Sequence, residues 1–182
     1  MLAGGRGSRL GLLGSKPAAL LAGRPLMAYS AEALAQVCER VAVVCKRSSE
    51  VPSLAGVERW DEPDQPRHPL TGIVHALETA GAPVLVCAAD MPFVTADACR
   101  SLLQAAGSTP AVVASAGGVL QPVLGLYAPA ALERLKAAPV GDPLTRTIES
   151  LDPARVALPP ALVRSIDTAE DLAEAEALLA GR

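Results

Sequence analysis

Short, wholly apolar runs alternate along the chain with segments whose apolar residues recur at helical spacing. Because these runs do not alternate with polar residues, they predict strands that are buried on both faces of a parallel sheet. Their alternation with helices predicts an α/β fold of the Rossmann-like, doubly wound type: a mostly parallel sheet with helices on both faces. The predicted strands are 41–45, 84–88, 111–114 and 123–127, and the predicted helices are 26–39, 70–80, 96–106, 129–137 and 168–179.

The last predicted helix carries an explicit start signal. Thr168 can act as the N-cap, and Asp171 follows it at the spacing of a capping box. The apolar residues within 172–179 then form one stripe at helical spacing. Ligands of doubly wound sheets bind beyond the carboxyl ends of the strands, so the residues directly after each strand are the first candidates for a functional site.

Composition limits the classes of protein to which the chain can belong. Its 182 residues are 51% hydrophobic and 19% charged, which predicts one folded domain over 1–182 with a substantial core. Aromatic residues make up only 2% and the net charge is −3, so we expect no nucleic-acid partner. No apolar run reaches the roughly 20 residues that span a bilayer, and no signal peptide is recognisable. We therefore expect a cytoplasmic protein without a membrane partner.

The start of the chain combines glycines with basic side chains. Residues 2–11 read LAGGRGSRLG, Lys16 follows, and the first acidic residue is Glu32. Glycines allow backbone amides to approach phosphate oxygens closely, and Arg6, Arg9 and Lys16 add charged donors. The segment fits neither the Walker A loop nor the dinucleotide-binding fingerprint. It therefore indicates a polyphosphate site of another kind, or else a loop that merely joins two elements.

Two acidic residues lie where a metal ligand would be placed. Asp90 directly follows the predicted strand 84–88, and a hard oxygen ligand at that edge suits Mg²⁺. The alternative is that Asp90 caps a helix. Asp167 precedes the last predicted helix, and it is either a second metal ligand or the cap of that helix.

Six segments, in this order, resemble motifs of one enzyme family. The chain resembles the molybdenum cofactor guanylyltransferases, a family of nucleotidyltransferases, over nearly its whole length. Any one segment alone would be weak, but the combination is specific. The segments are LAGGRGSR at 2–9 followed by Lys16, LAGRPL at 21–26, WDEP at 60–63 followed by PLTGI at 69–73, CAADMPF at 87–93, QPVLGLY at 121–127 and IDTAEDL at 166–172.

The resemblance implies a nucleotidyltransferase-type fold and a specific reaction. It implies that GMP is transferred from GTP to molybdopterin with release of pyrophosphate, with Mg²⁺ as cofactor. It also implies transient contact with cofactor-biosynthesis proteins or molybdoenzymes. The implied roles are nucleotide binding by Leu2, Ala3, Gly4, Gly5, Lys16, Asp61 and Asp90, catalysis by Lys16 and Arg9, and metal binding by Asp90 and, more weakly, Asp167. From the residues alone, Asp61 is equally well explained as part of a solvated turn.

The chain departs from the family pattern at several points. His68 stands at a family glycine, Cys45 stands where Asn is frequent, and only Met1 and Leu2 precede Ala3. The last departure implies either a shortened first strand or a natural start further upstream. Two alternative functions remain open: a related nucleotidyltransferase that uses CTP or another acceptor such as 2-phospholactate, and a non-catalytic module that binds and delivers a nucleotide or cofactor. The joint presence of Lys16 and Asp90 favours an enzyme.

Overall fold

The structure is a computed structural model that describes residues 1–4 and 16–181. Its helices and strands follow each other in the alternating order expected of an α/β protein. The strands are β1 (Leu20–Leu21), β2 (Arg24–Pro25), β3 (Val41–Lys46), β4 (Val57–Glu62), β5 (Val84–Cys87), β6 (Ala111–Ala116), β7 (Val119–Tyr127) and β8 (Ala154–Ala157). The helices are α1 (Leu26–Ala35), α2 (Pro69–Ala80), α3 (Ala96–Gln104), α4 (Leu132–Ala137), α5 (Leu144–Glu149) and α6 (Ala169–Ala180).

The first residues of the chain join two groups of strands into one sheet. Leu2 pairs in parallel with Val44 of β3 on one side and with Ala88, just after β5, on the other. Four backbone hydrogen bonds of 2.8–3.0 Å hold this segment, among them those from the Leu2 amide to Cys87 and from the Ala3 amide to Val44. The resulting order is β4, β3, segment 1–3, β5, β7, β6, β8, and among the described strands of this sheet β7 alone runs antiparallel to its neighbours.

Both faces of the sheet are covered by helices, as the apolar runs predicted. Along β6, Val112 and Ala114 pack into a core with α1 and α3, whereas Ala111 and Val113 pack into a second core with α2, α4 and α5. Successive residues of a strand point to opposite faces, so a strand covered on both sides must be apolar throughout. The doubly wound fold class is confirmed.

The element bounds differ from prediction where local signals are weak. Helix α1 ends at Ala35 rather than at residue 39, and helix α5 and the half-exposed strand β8 were not predicted. Strands β6 and β7 form a hairpin through Gly117 and Gly118, both with positive φ, as a two-residue hairpin turn requires. No helix in residues 1–4 and 16–181 has both the length and the apolar character needed to cross a membrane.

Candidate functional site

A cavity of about 330 Å³ opens at the carboxyl edge of the sheet. It lies beyond the ends of β4, β3, segment 1–3 and β5, which is where a doubly wound sheet binds its ligands. Four residues that the sequence singled out line it: Leu2, Ala3, Gly4 and Asp90. The other lining residues include Val44, Lys46, Glu62, Arg67, His68, Gly72, Gln121 and Ser165.

Lys16 links the two acidic residues that were predicted as metal ligands. Its buried ammonium forms an ion pair with Asp90 and another, of 2.7 Å, with Asp167. The backbone reinforces the arrangement, because the Ile166 amide donates to the Asp90 carbonyl at 2.9 Å. Three residues that are far apart in sequence thus meet beside the cavity.

The charges of this cluster support one another. Burial alone would lower the pKa of Lys16, but the two carboxylates outweigh burial and raise the pKa above its usual value. The hydrogen bond from Lys16 lowers the pKa of Asp167, with burial acting in the opposite direction. Lys16 and Asp167 are therefore both charged at neutral pH.

The donor set fits a magnesium ion. Carboxylate oxygens of Asp90 and Asp167 already converge on one cation, the Lys16 ammonium. In residues 1–4 and 16–181, no group of three or more His, Cys, Asp or Glu side chains could hold a metal. Magnesium, however, commonly binds one or two carboxylates and completes its shell with substrate phosphates and water.

Neither acidic residue acts as a helix cap. Helix α3 is capped by Thr95, and helix α6 is capped by Thr168, whose hydroxyl accepts from the Asp171 amide at 3.1 Å. The capping box of α6 is confirmed. The alternative that Asp90 or Asp167 caps a helix is wrong, because the carboxylates of both are directed to Lys16.

Asp61 does not line the cavity. Its carboxylate pairs with Arg59 at 2.7 Å, on the outer part of strand β4. The next residue, Glu62, lines the cavity instead, because successive side chains on a strand point to opposite faces. The nucleotide contact that the resemblance implied for Asp61 stays a prediction, and the acid that lines the cavity in the structure is its neighbour Glu62. Asp61 lies in a strand, so the alternative that it belongs to a turn is wrong.

Glu62 and Lys46 form a buried pair that sequence analysis missed. Glu62 is 5% exposed and Lys46 is 2% exposed. The Lys46 Nζ atom donates to the carbonyls of Pro63 and Pro66 at 2.9 and 2.8 Å and lies 3.3 Å from Glu62 Oε1. The available signal was a charged residue at the end of each of two strands that the structure pairs.

Gly72 and His68 of the α2 region line the cavity as well, and Gly72 lies beside Glu62. A Cβ atom on Gly72 would lie 3.0 Å from a methyl group of Leu2 and 3.7 Å from Glu62 Oε2, so a larger residue would require the Leu2 side chain to shift by a few tenths of an ångström. His68 is the N-cap of α2, and its Nδ1 atom accepts from the Leu70 amide at 3.2 Å. Partial burial lowers the pKa of His68, so the imidazole is neutral at pH 7.

Two predicted site residues, Gly5 and Arg9, lie outside the described residues, as does Arg6. Their implied roles at the phosphates stay predictions. The described part of the glycine-rich start is residues 2–4, which line the cavity, and Lys16.

The matching family model and the curated relatives agree on one family, and the solved structures show the fold. Residues 1–155 match the family described as the MobA-like NTP transferase domain. The chain is 38% identical over 143 residues to a molybdenum cofactor guanylyltransferase of Cereibacter sphaeroides, covering 75% of this chain and 72% of that protein. A protein of the same name from a Bradyrhizobium species is 32% identical over 197 residues, covering 99% and 92%. The fold matches that of molybdopterin-guanine dinucleotide biosynthesis protein A from Archaeoglobus fulgidus, with a TM-score of 0.77 at 22% identity, covering 100% of this chain and 97% of that chain.

Proposed function

Because this chain belongs to the MobA-like NTP transferase domain family, we propose that it transfers the GMP moiety of GTP to molybdopterin and releases pyrophosphate. One observation carries the proposal: Lys16 lies between Asp90 and Asp167 at the carboxyl edge of the sheet, next to a cavity lined by residues 2–4. The names of the two bacterial relatives support guanylyl as the transferred group and the molybdenum cofactor as its acceptor.

Nucleotidyl transfer is an in-line displacement, so the protein mainly positions the reactants and neutralises charge. A terminal phosphate oxygen of molybdopterin attacks the α-phosphorus of GTP, and the bond from that phosphorus to the pyrophosphate oxygen breaks. Lys16 is the cation that stabilises the charge on the α- and β-phosphates. In this proposal Arg9 faces the leaving pyrophosphate, and the backbone of Leu2, Ala3 and Gly4 holds the base and ribose.

Asp90 and Asp167 would hold the magnesium ion in this reaction. When bound, magnesium would neutralise part of the negative charge of the phosphates. Lys16 now occupies the space between those two carboxylates, so its ammonium would move to the phosphates when they arrive. The side-chain length of lysine allows this movement without a change in the sheet.

The proposed acceptor also suggests where the protein works. Molybdopterin is a small phosphorylated cofactor precursor, and its product must pass to an apoenzyme. We place the reaction in the cytoplasm, with transient contacts to other cofactor-biosynthesis proteins or to molybdoenzymes.

The test is product formation from defined substrates. The purified protein is incubated with molybdopterin, Mg²⁺ and each of the four NTPs labelled at the α-phosphate. We expect a labelled guanine dinucleotide and stoichiometric pyrophosphate with GTP, and neither product when molybdopterin is omitted. Transfer from CTP at an equal rate would contradict the guanylyl assignment. Failure to label molybdopterin from any NTP would contradict the acceptor.

A further inference from the structure

Glu62 presents an unsatisfied acceptor at the wall of the cavity. The residue is buried at the carboxyl end of β4, lines the cavity, and its Oε2 atom has no hydrogen-bond partner in the described part of the chain. A buried carboxylate oxygen without a partner costs free energy, and few native groups are left in that state. The observation therefore points to a ligand that donates hydrogen bonds at this place.

Lys46 has no hydrogen left to donate to Glu62 Oε2 or to a phosphate. Its ammonium carries three hydrogens, and three oxygens surround it: the carbonyls of Pro63 and Pro66, and Glu62 Oε1 at 3.3 Å. Lys46 therefore anchors the loop after β4 and orients one oxygen of Glu62. The other oxygen, Oε2, is buried beside Gly72 of α2 and has no hydrogen-bond partner in the described part of the chain.

The position of Glu62 decides which part of a nucleotide it can meet. Along the sheet edge the order is β4, β3, segment 1–3 and β5, so Glu62 lies three strands from Asp90, roughly 14 Å at ordinary strand spacing. The phosphates belong at Lys16 and Asp90, and a carboxylate would repel them. Glu62 is thus at the end of the cavity where the base would lie, with Leu2–Gly4 between.

We propose that Glu62 selects guanine by accepting hydrogen bonds from its N1–H and its exocyclic 2-amino group. This inference rests on the proposed function and names the residue that reads the base. Guanine carries two adjacent donors on its Watson–Crick edge, and they match a carboxylate that accepts only. Uracil and hypoxanthine lack the amino group, and adenine and cytosine carry an unprotonated ring nitrogen at the corresponding place, which a carboxylate repels.

The decisive variant is Glu62→Gln, because glutamine keeps the shape and exchanges one acceptor for a donor. The ammonium of Lys46 attracts the amide oxygen, so the amide nitrogen takes the place of Oε2 and faces the donors of guanine. We expect GTP affinity to fall about 10- to 100-fold, the range of a hydrogen bond to a charged group. XTP has a carbonyl in place of the amino group, so the ratio of XTP affinity to GTP affinity should rise at least tenfold.

The measurement is calorimetric titration of parent and variant with GTP, ITP, XTP and CTP in the presence of Mg²⁺. In the parent we expect GTP to bind about tenfold more tightly than ITP, and in Glu62→Gln this preference should disappear. The matched control is Glu58→Gln, an exposed glutamate on the same strand that pairs with Arg40. The control should keep the nucleotide preferences of the parent.

Two outcomes would overturn the inference. One is unchanged GTP affinity in Glu62→Gln, and the other is an equal loss for all four nucleotides, which marks a structural role. Melting temperature and circular dichroism show whether the variant folds. If Glu62→Gln loses the parent's preference for GTP over ITP but the parent does not label molybdopterin, the proposed function fails and the assignment of Glu62 stands. If the parent makes the guanine dinucleotide and Glu62→Gln keeps its selectivity, only the assignment of Glu62 fails.

Discussion

Lys16 occupies the space in which Asp90 and Asp167 would hold a magnesium ion. The ammonium and the metal therefore compete for the same carboxylates until phosphates arrive. Removing the lysine should have two opposite effects, one on the metal and one on the chemistry.

We expect Lys16→Ala to bind Mg²⁺ more tightly than the parent does in the absence of nucleotide, because the competing cation is gone. Turnover should fall about 100-fold or more, since the lysine stabilises charge that builds up in the transition state. GTP affinity should fall less than turnover does. Calorimetry with Mg²⁺ and steady-state kinetics measure these effects, and Lys136→Ala, an exposed lysine paired with Glu78, is the control. Weaker Mg²⁺ binding, or normal turnover at saturating GTP, would contradict this role.

Asp90→Asn should abolish Mg²⁺-dependent transfer and leave the fold intact. Asparagine keeps the shape of aspartate but is neutral, and it is a poor ligand for a hard dication that also bridges phosphates. Activity across a Mg²⁺ titration and the melting temperature are the measurements. Asp152→Asn serves as the control, because Asp152 is exposed and has a positive φ that asparagine tolerates. A folded Asp90→Asn protein with near-normal activity would remove Asp90 from the metal site.

Glu62 should make stability depend on pH in an unusual direction. Burial raises the pKa of Glu62, and Lys46 opposes burial only in part. The folded state therefore holds the proton more tightly than the unfolded state, so this stabilisation is present at low pH and is lost as pH rises through the raised pKa. We therefore expect the melting temperature of Glu62→Gln, relative to that of the parent, to increase as pH rises from 4 to 8. A constant difference across that range would contradict the argument.

At the scale of elements, the start of helix α6 holds Asp167 in place. Thr168 and Asp171 form a reciprocal capping box directly after Asp167, and the Asp171 carboxylate also accepts from the Asp167 amide at 2.9 Å. The cap thus has two tasks: it begins the helix, and it fixes the backbone that carries a proposed metal ligand.

Thr168→Ala should lower stability by about 1 kcal/mol, the ordinary cost of losing a side-chain N-cap. For a chain of this size that corresponds to a fall of about 2–4 °C in melting temperature. Mg²⁺ affinity should fall as well, because Asp167 loses its support. Thr79→Ala, at an exposed position on α2, is the matched control and should change neither quantity. Equal melting temperatures and equal Mg²⁺ affinities of the two variants would contradict this role of the Thr168 cap.

At the scale of the whole molecule, the proposed nucleotide would bridge four strand ends and the segment before α6. A ligand that binds only the folded state stabilises the fold by mass action. We expect GTP with Mg²⁺ to bind at least tenfold more tightly than CTP does, about 1.4 kcal/mol, and to raise the melting temperature more at equal concentration. Thermal-shift titrations measure both. Equal shifts by the two nucleotides would contradict guanine selectivity.

Local sequence was sufficient to predict features that depend on a single helix or strand. The apolar runs predicted strands covered on both faces, and the Thr168–Asp171 spacing predicted the capping box, because periodicity and caps depend on nearby residues alone. The position of Asp90 after a buried strand likewise predicted the edge at which it lies. Helix α5 and strand β8 were missed because a short helix and a half-exposed strand carry little local signal.

The sequence by itself determined the fold class, the edge of the sheet at which Asp90 lies, and three charged residues as candidates there: Lys16, Asp90 and Asp167. Only the tertiary structure decided that Lys16 lies between Asp90 and Asp167, since three distant segments must first be packed together. It also decided that Glu62, not Asp61, faces the cavity. Adjacent residues on a strand point to opposite faces, so only one of two neighbouring acids can face the cavity. Which one does so depends on the register of β4 against β3 and on the space beside α2. Both are tertiary features that the local sequence does not determine.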